Sequence, residues 1–92
     1  MEISIYSSSY SLILNYDGNT YPMKKLPESI QELTKIVSKV FPEISPDAIQ
    51  LTYCDKDNDW IALNNEEDLR IVNEYAKSEG LNELILYVDY IH

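Results

Sequence analysis

The feature that most constrains the fold is the Asp17-Gly18-Asn19 step between two β-prone runs, "YSLILNY" at 10–16 and "TYPMKKL" at 20–26. Asp-Gly between such runs is a strong hairpin signal, because a tight two-residue turn needs positive φ and glycine supplies it without steric cost. The chain therefore opens on strand, turn, strand. Pro22 has no N–H to offer a ladder, so the second strand belongs at a sheet edge or at a bulge.

A change of period follows. Ser29 and Glu32 have capping-box spacing, in which the serine oxygen accepts from the N3 amide and the glutamate reaches back. Ile30, Leu33, Val37 and Val40 then recur at helical intervals, widened by Ile36 and Phe41, until Pro42 stops the run. "AIQLTYC" at 48–54 returns to period two, with Ile49, Leu51 and Tyr53 on one face. "WIAL" at 60–63 is a short strand with Ile61 and Leu63 inward. Asn64 or Asn65 caps a second helix whose first turn holds Glu66, Glu67 and Asp68, favourable beside the positive end of the helix dipole. Leu69, Val72 and Ala76 form its apolar stripe, with Tyr75 alongside. Gly80 suits the helix end, and "NELILYVDY" reads as a final buried strand. The order β-β-α-β-β-α-β implies an α+β domain with helices on one face of a sheet.

Ninety-two residues suffice for a single domain, here 1–92 with its core over 10–90. Residues 1–8, "MEISIYSS", read either as an extension of the first strand or as a leader. Seven basic residues against sixteen acidic ones give a net charge of −9, which repels a phosphate backbone and excludes nucleic acid as a partner. No apolar run approaches the roughly 20 residues that span a bilayer, so no membrane role is expected. The lone Cys54 and the lack of a signal-like leader imply a reducing, cytoplasmic setting.

Enzymatic chemistry finds no constellation. The single histidine is His92, Cys54 has no histidine near it in sequence, and two glycines cannot build a phosphate-cradling loop. No cofactor is expected.

The concentrated chemistry lies in "YCDKDNDWIALNNEED" at 53–68. Asp55, Asp57 and Asp59 with Glu66 match positions one, three, five and twelve of an EF-hand calcium loop. Position six, which needs glycine, is Trp60, position eight is Ala62, and the flank before the turn has strand rather than helix periodicity. No metal site is expected. A solvated acidic surface accounts for Glu66, Glu67 and Asp68, but three like charges in one tight turn repel each other unless a cationic partner relieves them.

Residues 53–76 resemble the acidic OPCA motif of the Phox-and-Bem-one (PB-one) family: an aromatic, an alternating acidic turn, a short apolar strand and an acidic helix start ending in Asp-Leu. Tyr53, Asp55, Asp57, Asp59, Ile61, Leu63, Glu67, Asp68 and Leu69 carry the match. Asn58 stands where the family usually has glycine, a mild departure because asparagine tolerates the left-handed region. The resemblance extends over residues 10–90, since the element order is that of the ubiquitin-like β-grasp the family adopts.

It implies a protein–protein interaction module. Its acidic face, Asp55, Asp57, Asp59, Glu66, Glu67 and Asp68, would dock front-to-back on the basic face of a partner PB-one domain. The family's own basic face uses a first-strand lysine and a basic pair. Lys24 and Lys25 fall at the pair, but the lysine position, five residues before Gly18, is Ile13. The resemblance therefore implies an acidic-only member, monomeric alone, with Lys24 and Lys25 as solvated edge charges. A ubiquitin-like modifier would share the fold but end in an exposed diglycine, whereas this chain ends "DYIH".

Overall fold

The structure, a computed structural model, describes residues 10–90. The stretch 1–8 and His92 lie outside them. Five strands and two α-helices follow the expected order: β1 Ser11–Tyr16, β2 Asn19–Met23, α1 Ile30–Val40, β3 Ile49–Cys54, β4 Trp60–Leu63, α2 Glu66–Ser78 and β5 Glu83–Tyr90. A short 3-10 turn, Pro46–Ala48, takes the first residue of the expected third strand.

The hairpin forms where Asp17-Gly18 places it, with φ of 52° and 82° at these residues, both positive as a type I′ turn requires. Strand β2 is shorter than the 20–26 run suggested. It ends at Met23, and Lys24 and Lys25 sit in a bend beyond it. The sheet order is β2-β1-β5-β3-β4, so Pro22 lies on an edge strand as expected. At the centre β1 and β5 run parallel, and every other pair is antiparallel. This mixed sheet with two helices is the ubiquitin-like β-grasp.

One face of the sheet meets the helices. Leu12, Leu14, Leu51, Tyr53, Leu63, Leu84, Leu86 and Val88 point into a single core with Leu33 and Val37 of α1 and Leu69, Val72 and Ala76 of α2. Leu33, Val37, Val72 and Ala76 are fully buried. Burial of a leucine or valine side chain stabilises by about 1.5–3 kcal/mol, so the helical stripes read from sequence are what hold the layers together. Ile61, expected inward, packs against this core at its margin and is half-buried.

Local signals close the helices. Ser29 Oγ accepts from the Glu32 amide at 3.3 Å, and Asn65 Oδ1 accepts from the Asp68 amide at 2.9 Å. At the end of α2 the Leu81 amide donates to the Ala76 carbonyl and the Gly80 amide to that of Lys77, a Schellman closure with Gly80 at φ 64°.

The other sheet face is left without helices. Across it Pro22, Ile13 and Ile85 stand in register on β2, β1 and β5, and Cys54 pairs with Trp60 on β3 and β4.

Candidate functional site

The acidic turn closes on itself. The Asp55 amide donates to the Asp59 carbonyl at 2.9 Å and the Asn58 amide to the Asp55 carbonyl at 3.0 Å. Asn58 takes φ 66°, the left-handed conformation expected of it in place of glycine. Asp55 Oδ1 accepts from the amides of Asp57 and Asp59, both at 2.9 Å. This carboxylate therefore organises the turn, and it is half-buried, while Asp57 and Asp59 are exposed. No side chain or amide among the described residues pairs with the Asp57 or Asp59 carboxylate.

The turn is moored to α2. The Lys56 amide donates to the Tyr75 hydroxyl at 2.8 Å, and Lys56 Nζ reaches Glu79 at 3.2 Å. That bond and its charge raise the Lys56 pKa. The turn's one cation is thus bonded to Glu79, with the charge of Asp57 adding to its raised pKa, and this pairing across 23 residues is one that no sequence spacing announces. Tyr53 lies beside Tyr75 with ring centroids 5.7 Å apart, and burial raises the Tyr53 pKa, helped by the charge of Asp55.

The acids at the start of α2 divide in the same way. Glu66 Oε2 accepts from the Ile30 amide at 2.9 Å, so it caps α1 from the neighbouring helix and takes up an amide left free at that helix start. Asp68 Oδ2 accepts from the Asn64 amide at 2.8 Å and is half-buried. Glu67 is exposed and pairs with Arg70 one turn on, which lowers the Glu67 pKa and raises that of Arg70. The i,i+3 spacing of Glu67 and Arg70 was a readable signal that the acidic-face pattern passes over.

Of the six candidate acids, then, Asp55, Glu66 and Asp68 hold backbone amides, and Asp57, Asp59 and Glu67 project outward. The carboxylates of Asp55, Asp57 and Asp59 offer oxygens within 4.8 Å of one another. The twelfth-position residue of the calcium pattern, Glu66, is instead engaged at Ile30.

Of the candidate basic positions, Ile13 lies on β1, and Lys24 and Lys25 lie in the bend after β2. Ile13 stands between Pro22 and Ile85, two apolar neighbours. Lys24 and Lys25 are exposed. Lys25 lines a cleft between the start of α1 and α2, together with Glu28, Glu32, Glu66, Arg70 and Lys77. Cys54 is half-buried and its thiol lies 3.7 Å from the Asp55 carbonyl, consistent with a small strand residue beside the turn.

Comparison with known proteins gives three findings. A family model described as "PB1 domain" matches residues 22–90. The CBS domain-containing protein CBSCBSPB5 of Arabidopsis thaliana is 39% identical over 59 residues, 63% of this chain. The matched stretch makes up only 11% of that relative's length. Among solved structures, the AtNBR1-PB1 domain in its L-type filament superimposes with a TM-score of 0.70 at 24% identity, covering 88% of this chain and 96% of that one. A ubiquitin-like domain from tubulin-binding cofactor B follows at TM-score 0.50 and 18% identity, with 86% of each chain covered.

Proposed function

Since this chain belongs to the PB1-domain family, whose members are protein–protein interaction modules that bind other PB1 domains and are not enzymes, we propose that it is an acidic-type member. Its acidic face docks front-to-back on the basic face of a partner PB1 domain and so builds a scaffold, signalling or cargo-receptor assembly.

The observation that carries this reading is the pair Asp57 and Asp59. Both are exposed on a turn that Asp55 holds in shape, and Lys56, the cation within the turn, bonds to Glu79 and meets Asp57 through charge alone. Such an arrangement leaves like charges only partly relieved within the domain, and a partner's lysine or arginine relieves them further. One charge pair at 4 Å gains about 4 kcal/mol at an effective dielectric near 20, before desolvation and ordering are subtracted. Two separated subsites are therefore needed. Asp57 and Asp59 form one, and Glu67 the other, with the Arg70 pairing reducing what Glu67 offers.

Filament assembly is a property named for the AtNBR1-PB1 domain. For this chain a head-to-tail polymer would require both faces on one molecule. Ile13 supports a single-faced, monomeric domain, because an apolar side chain cannot serve an incoming carboxylate. The segment 1–92 is proposed to act as one module within the cytoplasm. No helix among the described residues is long and apolar enough to cross a membrane.

The test is a pull-down followed by salt titration of the captured complex. Affinity falls steeply with ionic strength through screening, and Asp57→Lys abolishes binding while the fold persists. Salt-independent capture, or capture unaffected by Asp57→Lys, would overturn the electrostatic reading.

A further inference from the structure

A sheet of this order has two open edges, β2 and β4. The first is guarded. Proline cannot donate to a ladder, so Pro22, paired with Ile13, turns its nitrogen outward and leaves a gap in the row of edge donors, with Lys24 and Lys25 just beyond. The β4 strand, Trp-Ile-Ala-Leu, carries neither device. Its phase is set by the Asp55 amide, which donates to the Asp59 carbonyl in register with the β3–β4 ladder and makes these two a hydrogen-bonded pair. Antiparallel pairs alternate, so Ile61 and Leu63 also turn their backbone groups to β3, while Trp60 and Ala62 turn their N–H and C=O groups to the open edge. Among the described residues no hydrogen bond from outside the sheet reaches those groups. The large side chain at this edge leans away from it: the Trp60 indole meets Tyr87 of β5, two strands toward the sheet centre, with ring centroids 5.0 Å apart, and is still 61% exposed.

Unpaired N–H and C=O groups in strand geometry fit one kind of occupant, an extended segment that supplies the complementary row. A second copy is the wrong source. Pairing β4 with its own copy would bring together two molecules of net charge −9, each with acids flanking the strand at Asp59 and Glu66. The same field turns away an acidic segment. We propose that the β4 edge is a strand-addition site for an extended, acid-free segment of a partner protein. Main-chain bonds to Trp60 and Ala62 hold the segment, and its alternate side chains fall beside the Trp60 indole on the helix-free face and beside Ile61 on the other. Covering the indole adds apolar burial to a short run of hydrogen bonds. This site is separate from the acidic face and does not rest on it.

The probe is the neutral peptide Ac-Thr-Val-Thr-Val-Thr-NH2, titrated into 15N-labelled protein. Binding shifts the indole N–H of Trp60, the only tryptophan of the chain, and slows hydrogen exchange at the Trp60 and Ala62 amides. The Ile61 and Leu63 amides, already in the ladder, keep their rates. Ala62→Pro removes an outward donor without breaking a β3–β4 bond and weakens the probe about tenfold, the size of one net hydrogen bond. The same peptide N-methylated at every interior amide does not bind, a comparison that stands even if Ala62→Pro fails to fold. Ac-Glu-Val-Thr-Val-Glu-NH2 binds more weakly than the neutral probe at low salt. No binding of the neutral probe at millimolar concentration, binding that survives N-methylation, or slowed exchange without the alternation along β4 overturns the proposal. Asp57→Lys leaves probe binding in place, which keeps a failure of the acidic-face reading distinct from a failure of this one.

Discussion

The sharpest consequence of the site's geometry is that two aspartates two residues apart do opposite jobs. Asp55→Ala removes an acceptor that receives two amide hydrogen bonds at 2.9 Å, from Asp57 and Asp59. Hydrogen bonds to charged acceptors contribute about 1.5–3 kcal/mol each where buried. The half-buried setting reduces this toward about 1 kcal/mol per bond, and removing one of three like charges returns a few tenths. A net loss of about 1.5–2 kcal/mol results, equivalent to a fall of roughly 6–16 °C in Tm for a domain this size. Asp57→Ala removes no such bond, and its effect stays within about 0.5 kcal/mol. Asp55→Asn retains a side-chain oxygen able to support the same local turn, so it lies between the two. Urea unfolding of all three variants, with m-values compared to ensure a common unfolding transition, reads these differences directly. Equal stability of Asp55→Ala and Asp57→Ala would refute the division of labour within the turn.

Glu66→Ala frees the Ile30 amide at the start of α1 and costs about 1 kcal/mol in thermal unfolding, with faster hydrogen exchange at Ile30; Glu66→Gln restores most of both. Light scattering of the wild-type protein at micromolar concentration and physiological salt is expected to report a monomer. Ile13→Lys introduces concentration-dependent self-association that Asp57→Lys suppresses in the double variant, whereas wild-type filaments insensitive to both faces would contradict the single-faced assignment. Burial raises the hydroxyl pKa of Tyr10 and Tyr53 above the ordinary 10.0. Above pH 10 the unfolded chain releases protons that the folded one keeps, so this stability is complete below about pH 10 and is lost as pH rises through the folded values. Alkaline unfolding followed by circular dichroism checks this, with a shallower pH dependence expected for Tyr10→Phe.

What could be read from the sequence was local. Ser29, Asn65, Asp17-Gly18 and Gly80 each act within a few residues, and each does in the fold what its spacing implies. The buried stripes were legible for the same reason, because a helix or strand repeats its burial at a fixed interval. The acidic pattern showed where charge gathers but not which charges are free. Asp55 is committed to its own turn, Glu66 to a helix start 36 residues away, and Lys56 to Glu79. Glu32, expected to complete the capping box, makes no return bond to Ser29 among the described residues. Those assignments depend on how distant elements meet, which periodicity does not encode. The meeting of Trp60 and Tyr87 is of the same kind, created by the β3–β5 and β3–β4 registers.

The anchoring of the Lys56 amide to the Tyr75 hydroxyl bears on how quickly the acidic face can be used. Fixing one backbone residue costs about 1–2 kcal/mol in conformational entropy, and a loose five-residue loop would meet much of that cost at the moment of association. Here the turn's own hydrogen bonds and its tie to α2 have already ordered residues 55–59 during folding. If the acidic face docks a partner as proposed, that partner loses little affinity to loop ordering, and most encounters steered to the face by its charge meet it in its binding conformation. Loosening that tie by Tyr75→Phe would leave every carboxylate present yet slow the productive fraction of encounters, a kinetic penalty without any change in net charge.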